Sequence, residues 1–153
     1  LSMEYAVYFG CRDSDLSLKL LGNNTISCSA KDVGISCGIS TQNTLTVSSD
    51  GEGKLTVNAG EGNGMYGYSC GIQCGDYRQN SGEVNAFGEK ANAPSPYGAS
   101  YGIYSYRNVN VSGGKLYAQC GNAEFCVPVE CKKKEAPEAE IEEKENSISI
   151  IVK

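Results

Sequence analysis

Two short runs combine flat aromatic rings with groups that can bond hydroxyls: Asp76-Tyr77-Arg78 and Tyr104-Ser105-Tyr106-Arg107. Tyrosine rings stack on pyranose faces, while guanidinium and carboxylate groups bond the sugar hydroxyls. Asp76, Tyr77, Arg78, Tyr104, Tyr106 and Arg107 therefore form a candidate ligand-binding strip, with polysaccharide as the expected partner. The reading requires a fold that lays the two runs side by side. Ten tyrosines stand against three phenylalanines and no tryptophan, and Tyr66, Tyr68, Tyr97 and Tyr101 lie near the same runs. The loop 88–99, with Pro94-Ser95-Pro96-Tyr97, is a further candidate, since loops gathered on one face commonly carry function. The competing reading makes each ring a rung of an aromatic ladder between strands, a stabilising device with no ligand.

Acid chemistry has one candidate pair in the repeat region, Asp13 and Asp15 in the turn Cys11-Arg12-Asp13-Ser14-Asp15. Their oxygens would suit a calcium ion, the one candidate cofactor. The alternative is turn chemistry, because Asp and Ser stabilise corners by bonding nearby backbone. The chain has no histidine, so the commonest general base of a nucleophilic relay is missing. A non-catalytic domain is favoured.

Eight cysteines invite a disulfide framework, but their spacing points elsewhere. Cys37 and Cys70 fall in one alignment column, and Cys28 aligns with Val57, Ala86 and Ala118, where a small buried apolar residue is wanted. Parallel stacked Cβ atoms about 4.8 Å apart exceed the separation that a disulfide prefers. Most cysteines are therefore expected to be reduced. Metal binding by the Cys70/Cys74 or Cys126/Cys131 pairs is disfavoured without histidine partners.

These residues are carried by a repeat. Cys37-Gly38-Ile39, Cys70-Gly71-Ile72 and Tyr101-Gly102-Ile103 recur with their glycines 33 and 31 residues apart, a period that signals a solenoid or array. Within each copy, short apolar alternations such as Leu45/Val47, Leu55/Val57 and Val109/Val111 are separated by Ser-Gly, Asp-Gly or Gly-Gly turns. Three strands and three turns per copy describe one coil of a parallel β-helix. The frame extends back to Tyr5-Ala6-Val7-Tyr8 and forward to Phe125-Cys126-Val127. Ala30, Ala59 and Ala118 are expected to stack at a tight corner. In the second copy Arg78 and Asn80 occupy columns where Val109 and Val111 point inward, so either a local slip turns them outward or the coil bulges.

A net charge of −5 argues against nucleic acid, whose binding depends on clustered basic residues. No stretch approaches the ~20 apolar residues of a membrane span. The expected organisation is a β-helix domain over 1–130, a charged linker or cap over 131–146 and a terminal strand over 147–153.

The phrase Tyr101-Gly102-Ile103 followed by Val109-Asn110-Val111-Ser112-Gly113-Gly114-Lys115-Leu116-Tyr117-Ala118 resembles coils of right-handed parallel β-helix proteins of the pectate-lyase type. It is most similar to bacterial carbohydrate-binding β-helix domains of cell-surface proteins. The resemblance covers about residues 5–121 and implies polysaccharide binding, often with calcium; the chain lacks the spread of acidic residues and the basic group a lyase needs. The expectation is an all-β, right-handed, single-stranded parallel β-helix of about four to five coils. Its expected role is that of a non-catalytic extracellular or cell-surface domain that binds polysaccharide. A lyase-like enzyme and a purely structural adhesin or stalk are the rivals. End-to-end or side-by-side self-association is a further expectation.

Overall fold

The computed structural model describes residues 2–11, 13–93 and 98–152. The first coil runs through β1 (Met3–Phe9), β2 (Leu16–Leu20) and β3 (Asn23–Ser27). The second has β4 (Ile35–Thr41), β5 (Thr44–Ser49), β6 (Lys54–Asn58) and the short β7 (Gly62–Asn63). The third has β8 (Tyr68–Cys74), β9 (Asp76–Gln79), β10 (Glu83–Phe87) and β11 (Ala91–Asn92), and the fourth has β12 (Ala99–Ser105), β13 (Asn108–Val111) and β14 (Gly114–Gln119). Beyond it lie β15 (Phe125–Glu130), β16 (Lys133–Glu135), β17 (Ala139–Lys144) and β18 (Ser147–Val152). Counterpart strands pair in parallel and stack into a β-solenoid of about four turns, with no helix among the described residues.

Three sheets run along the solenoid. Sheet A is β1-β4-β8-β12-β15, sheet B is β2-β5-β9-β13-β16, and sheet C is β3-β6-β10-β14-β18-β17. Ile39, Ile72 and Ile103 fall in one register column, as do Val57, Ala86 and Ala118, and all six are fully buried. Identical or similar apolar side chains one coil apart fill the narrow interior, so each coil's core is completed by its neighbours.

The recurrent glycine before each isoleucine has a steric cause. A Cβ on Gly71 would lie 2.6 Å from the Gly102 carbonyl oxygen and 2.8 Å from the Phe87 amide nitrogen. The glycine lets sheet A bend inward, so that Gly71 faces the interior next to Ile72 while Cys70 stays on the outer side. One residue earlier a buried serine ladder crosses the coils. The Ser69 hydroxyl donates to the Gly60 carbonyl and accepts from the Glu89 amide, and the Ser100 hydroxyl donates to the Glu89 carbonyl and accepts from the Gly121 amide, all at 2.8 Å. Backbone groups at the corners between sheets C and A are thereby satisfied without water.

Sheet B corrects the second-copy alignment. Tyr77 pairs with Val109 and Gln79 with Val111, so a one-residue slip turns Tyr77 and Gln79 inward and Arg78 outward. Both inward side chains are fully buried. The Tyr77 hydroxyl donates to Gln79 Oε1 at 2.9 Å, and Gln79 Nε2 donates to the carbonyls of Gly82 and Lys115 at 3.0 and 2.9 Å. The polar pair is tolerated in the core because its donors and acceptors meet partners.

Two column assignments also change. Cys28 donates its amide to Asn58 and so sits level with Ala59, while Ile26 takes the Val57 column. Ala30, Ala59 and Ala118 therefore do not stack: Ala118 lies in the Val57 column, and Ala30 accepts from Glu61. The corners between sheets C and A differ in length, which breaks an alignment built on small residues alone.

The acidic segment after Glu130 contributes strands. β16 extends sheet B in parallel, whereas β18 runs antiparallel to β14 and β17 antiparallel to β18. Ile148 and Ile150 continue the Ala118 and Leu116 columns and are buried. On β17, Glu140, Glu142, Glu143 and Lys144 are exposed, which makes it a charged outer edge that resists further pairing.

Candidate functional site

The outer side of sheet A concentrates the aromatic rings. Its register stacks Tyr5, Cys37, Cys70, Tyr101 and Val127 in one column and Tyr8, Ser40, Gln73, Tyr104 and Glu130 in another. Tyr68 lies beside them, level with Ile35 and Ala99. Tyr68 and Tyr101 rings are 5.4 Å apart, Tyr101 and Tyr104 are 5.1 Å apart, and Tyr104 and Tyr106 are 5.1 Å apart at 86°. Tyr5 and Tyr8 form a second group at 5.1 Å on the first coil. Tilted and edge-on packing of this kind is the preferred aromatic geometry.

Between the two tyrosine groups, coils two and three carry small or polar side chains. Cys37 and Cys70 are fully buried although they lie on the outer side, because the rings close over them. The Cys37 thiol and the Ser40 hydroxyl both reach Gln73 Oε1, at 3.5 and 3.4 Å. Gln73 Nε2 donates to the Tyr106 hydroxyl. The buried Tyr68 hydroxyl lies against the Cys70 thiol and has no well-aligned hydrogen-bond partner among the described residues.

On coils two to four these columns hold no Asp, Glu, Lys or Arg, and Glu130 closes the Tyr104 column on the last strand. Burial pushes the Cys70 thiol up to about 12 and raises the Cys37 thiol further, with the neighbouring thiols adding to the latter. Burial also raises the phenols of Tyr5, Tyr68, Tyr101 and Tyr106, in Tyr106 against the opposing effect of the Gln73 bond. The thiols are protonated and enclosed, which makes them poor nucleophiles.

The anticipated strip is brought together in part. Tyr104 and Tyr106 stand on sheet A, and Tyr106 is 47% exposed. At the corner between sheets A and B, Arg107 Nε pairs with Asp76 Oδ2 at 2.5 Å, and Asp76 Oδ1 accepts from the Asn108 amide at 3.1 Å. Burial alone would raise the Asp76 carboxyl, but the bond and charge of Arg107, with the Asn108 contacts, hold it below the usual range. Arg78 is exposed on sheet B, around the corner from the tyrosines. Tyr77 does not belong to the strip, because strand alternation places it in the core. Pro94, Ser95, Pro96 and Tyr97 lie outside the described residues, as does Arg12.

Asp13 is exposed, and Asp15 Oδ1 accepts from the Thr44 amide at 3.0 Å. Asp15 thus does for the second coil what Asp76 does for the fourth: a carboxylate at the start of a sheet-B strand receives the amide of the next coil. Among the described residues no group of three or more His, Cys, Asp or Glu side chains could hold a metal ion.

The thiol pattern follows expectation with one exception. Cys11, Cys28, Cys37, Cys70, Cys74 and Cys131 are free, whereas Cys120 and Cys126 form a disulfide with Cα atoms 5.4 Å apart. That bond clips the turn between β14 and β15.

No family model, curated protein or solved structure matches this chain. Function has to be read from the geometry.

Sequence reasoning named Tyr68 and Tyr101 as part of the aromatic group but missed Gln73, Cys37 and Cys70 as its floor. For Gln73 the available signal was the register, whereas simple alternation would turn Cys37 and Cys70 inward and only the inward-facing glycine before each isoleucine puts them outside. Once Ile39 and Ile72 are inward, Ser40 and Gln73 must be outward.

Proposed function

We propose that the chain is a non-catalytic binding domain for polysaccharide, with the ligand seated on the outer side of sheet A. The observation that carries this reading is the run of ring contacts Tyr68–Tyr101–Tyr104–Tyr106 beside a floor of small and polar side chains. Phenol rings offer flat apolar surface to pyranose rings, and Gln73, Ser40 and the tyrosine hydroxyls offer hydrogen bonds. The Asp76–Arg107 pair at the adjoining corner adds charged partners for sugar hydroxyls. With Glu130 at its edge and no basic residue in the tyrosine columns, the face suits a neutral glycan. The Cys120–Cys126 disulfide is in keeping with an oxidising, extracellular or cell-surface location.

Affinity should be in the micromolar to millimolar range, corresponding to roughly −8 to −4 kcal/mol. Few rings contribute, and sugar hydroxyls exchange water for imperfect partners. The test is a screen of soluble polysaccharides by calorimetry or affinity electrophoresis, with and without calcium. The double variant Tyr104→Ala/Tyr106→Ala should lose binding while keeping its fold. Normal binding by that variant would place the sugar elsewhere, and absence of any glycan affinity in the parent would favour a structural stalk.

A further inference from the structure

Cys37 and Cys70 are direct register partners on the adjacent parallel strands β4 and β8, and both are fully buried beneath the tyrosine rings. Register partners carry their Cβ atoms about one strand spacing apart, ~4.8 Å. A disulfide wants them at about 3.8 Å, so joining the two sulfurs directly would draw the coils together. A single ion between the sulfurs fits without that distortion. Two metal–sulfur bonds of about 2.3 Å laid end to end span about 4.6 Å.

The ligand set selects the ion. Cys28 Sγ accepts from the Ser36 hydroxyl at 3.3 Å and Cys74 lies in the core inside the solenoid, so the pair stands alone. The chain has no histidine, and no carboxylate completes a larger group around these thiols among the described residues. Zinc takes four ligands and calcium takes oxygens. Two thiolates in an enclosed aromatic setting suit a soft monovalent ion.

The Tyr68 hydroxyl points to the same place. It is buried without a well-aligned partner and lies against the Cys70 thiol. A neutral thiol is a weak acceptor, which leaves the hydroxyl poorly served, whereas a metal-bound thiolate is a charged acceptor and would complete it. The Cys70 proton is directed at the Ile72 carbonyl at 3.1 Å, a weak bond readily given up. On the other side, Gln73 Oε1 faces the Cys37 thiol at 3.5 Å. A half-turn of this amide presents Nε2 to a Cys37 thiolate and lets the Tyr106 hydroxyl donate to Oε1.

We propose that Cys37 and Cys70 bind one copper(I) ion in linear two-sulfur coordination beneath the tyrosines. Binding breaks two S–H bonds and forms two Cu–S bonds; both protons pass to solvent and no electron is transferred. The product carries one negative charge shared by the two sulfurs, and Tyr68 and Gln73 supply donors where it develops. Tyr106 is 47% exposed, so its ring can swing outward and open the floor without moving backbone. The site does not depend on the glycan reading.

The test uses protein purified with the Cys120–Cys126 disulfide intact, in a Cys11→Ser/Cys131→Ser background that removes the more accessible free thiols. Anaerobic titration with copper(I), against bicinchoninate as a competing chelator, should show one ion held per chain. X-ray absorption should show two sulfur neighbours and no other. Cys37→Ser and Cys70→Ser should each abolish binding, and Cys28→Ser should not. Tyr68→Phe should keep the stoichiometry and weaken affinity by at least about tenfold, the loss expected for a hydrogen bond to a charged group. A parent that cannot compete with the chelator would overturn the proposal, as would a shell of three or four sulfurs, binding that survives either serine substitution at Cys37 or Cys70, binding lost in Cys28→Ser, or an unchanged affinity in Tyr68→Phe. If a serine variant does not fold, the parent's sulfur count and the Tyr68→Phe affinity still decide the matter.

Discussion

The inner and outer sides of sheet A follow opposite rules within the same five strands. Inward, the column Val7, Ile39, Ile72, Ile103 and Val129 is uniformly β-branched and aliphatic. Outward, the neighbouring column changes from Tyr8 to Ser40, Gln73, Tyr104 and Glu130. Each inward residue is constrained by the coils above and below, because a narrow core leaves no room for a misfit. Outward residues are not locked between the three sheets and vary from coil to coil, even where, as at Ser40, the rings cover them. Uniformity therefore marks what holds the solenoid together, and variation marks where it can recognise something.

Ile72→Asp tests the inner rule most severely. A central unpaired carboxylate costs several kcal/mol, and both neighbouring coils lose contacts. Circular dichroism should show loss of the cooperative melt at ambient temperature. Gly71→Ala is milder, with a cost of about 1–3 kcal/mol, because the new methyl must displace backbone of the next coil and of sheet C. A melting temperature unchanged by that substitution would contradict the bend at Gly71.

The outer rule predicts a different profile. Tyr104→Ala/Tyr106→Ala should leave the melting temperature within a few degrees of the parent while abolishing glycan binding. Unfolding of that variant would show that these rings carry the structure, as a ladder would.

The smallest effect belongs to the corner. Asp76 has a carboxyl held below its unfolded value of about 3.8, so its contribution to stability is complete above that pH and is lost as pH falls through the lower folded value. Asp76→Asn should flatten this acid limb of the melting curve, with the difference from the parent small because Arg107 is half exposed and screened. A parent and variant with parallel acid limbs would show that the Arg107 pair does nothing for folding.

The coil architecture was legible because stacking imposes period on the chain, and Ile39, Ile72 and Ile103 repeat for a physical reason. That Arg78 leaves the valine column was legible for the same reason, since an arginine cannot occupy it in a dry core, but the choice between a slip and a bulge came from the pairing of Tyr77 with Val109. Tyr77 was misplaced because a tyrosine fits either side, and only its pairing with Gln79 keeps its hydroxyl satisfied inside. The direction of β18 was not legible: Ser147 to Val152 alternates correctly for either orientation on β14. The Cys120–Cys126 bond depends on a turn whose path no periodicity specifies. As for the binding face, the tyrosine count pointed to it, but the floor beneath the rings emerged only from the register.

Because each coil touches only the coils beside it, the molecule has an unusual response to being pulled from its ends. Tension peels one coil at a time from the stack, and the next coil bears the load only after the last has come away. With 31 to 33 residues between the marker glycines, each release should free about 100 Å of extended chain. A force spectrum would be a short series of evenly spaced teeth, unlike the single rupture of a domain whose core is shared by all its parts.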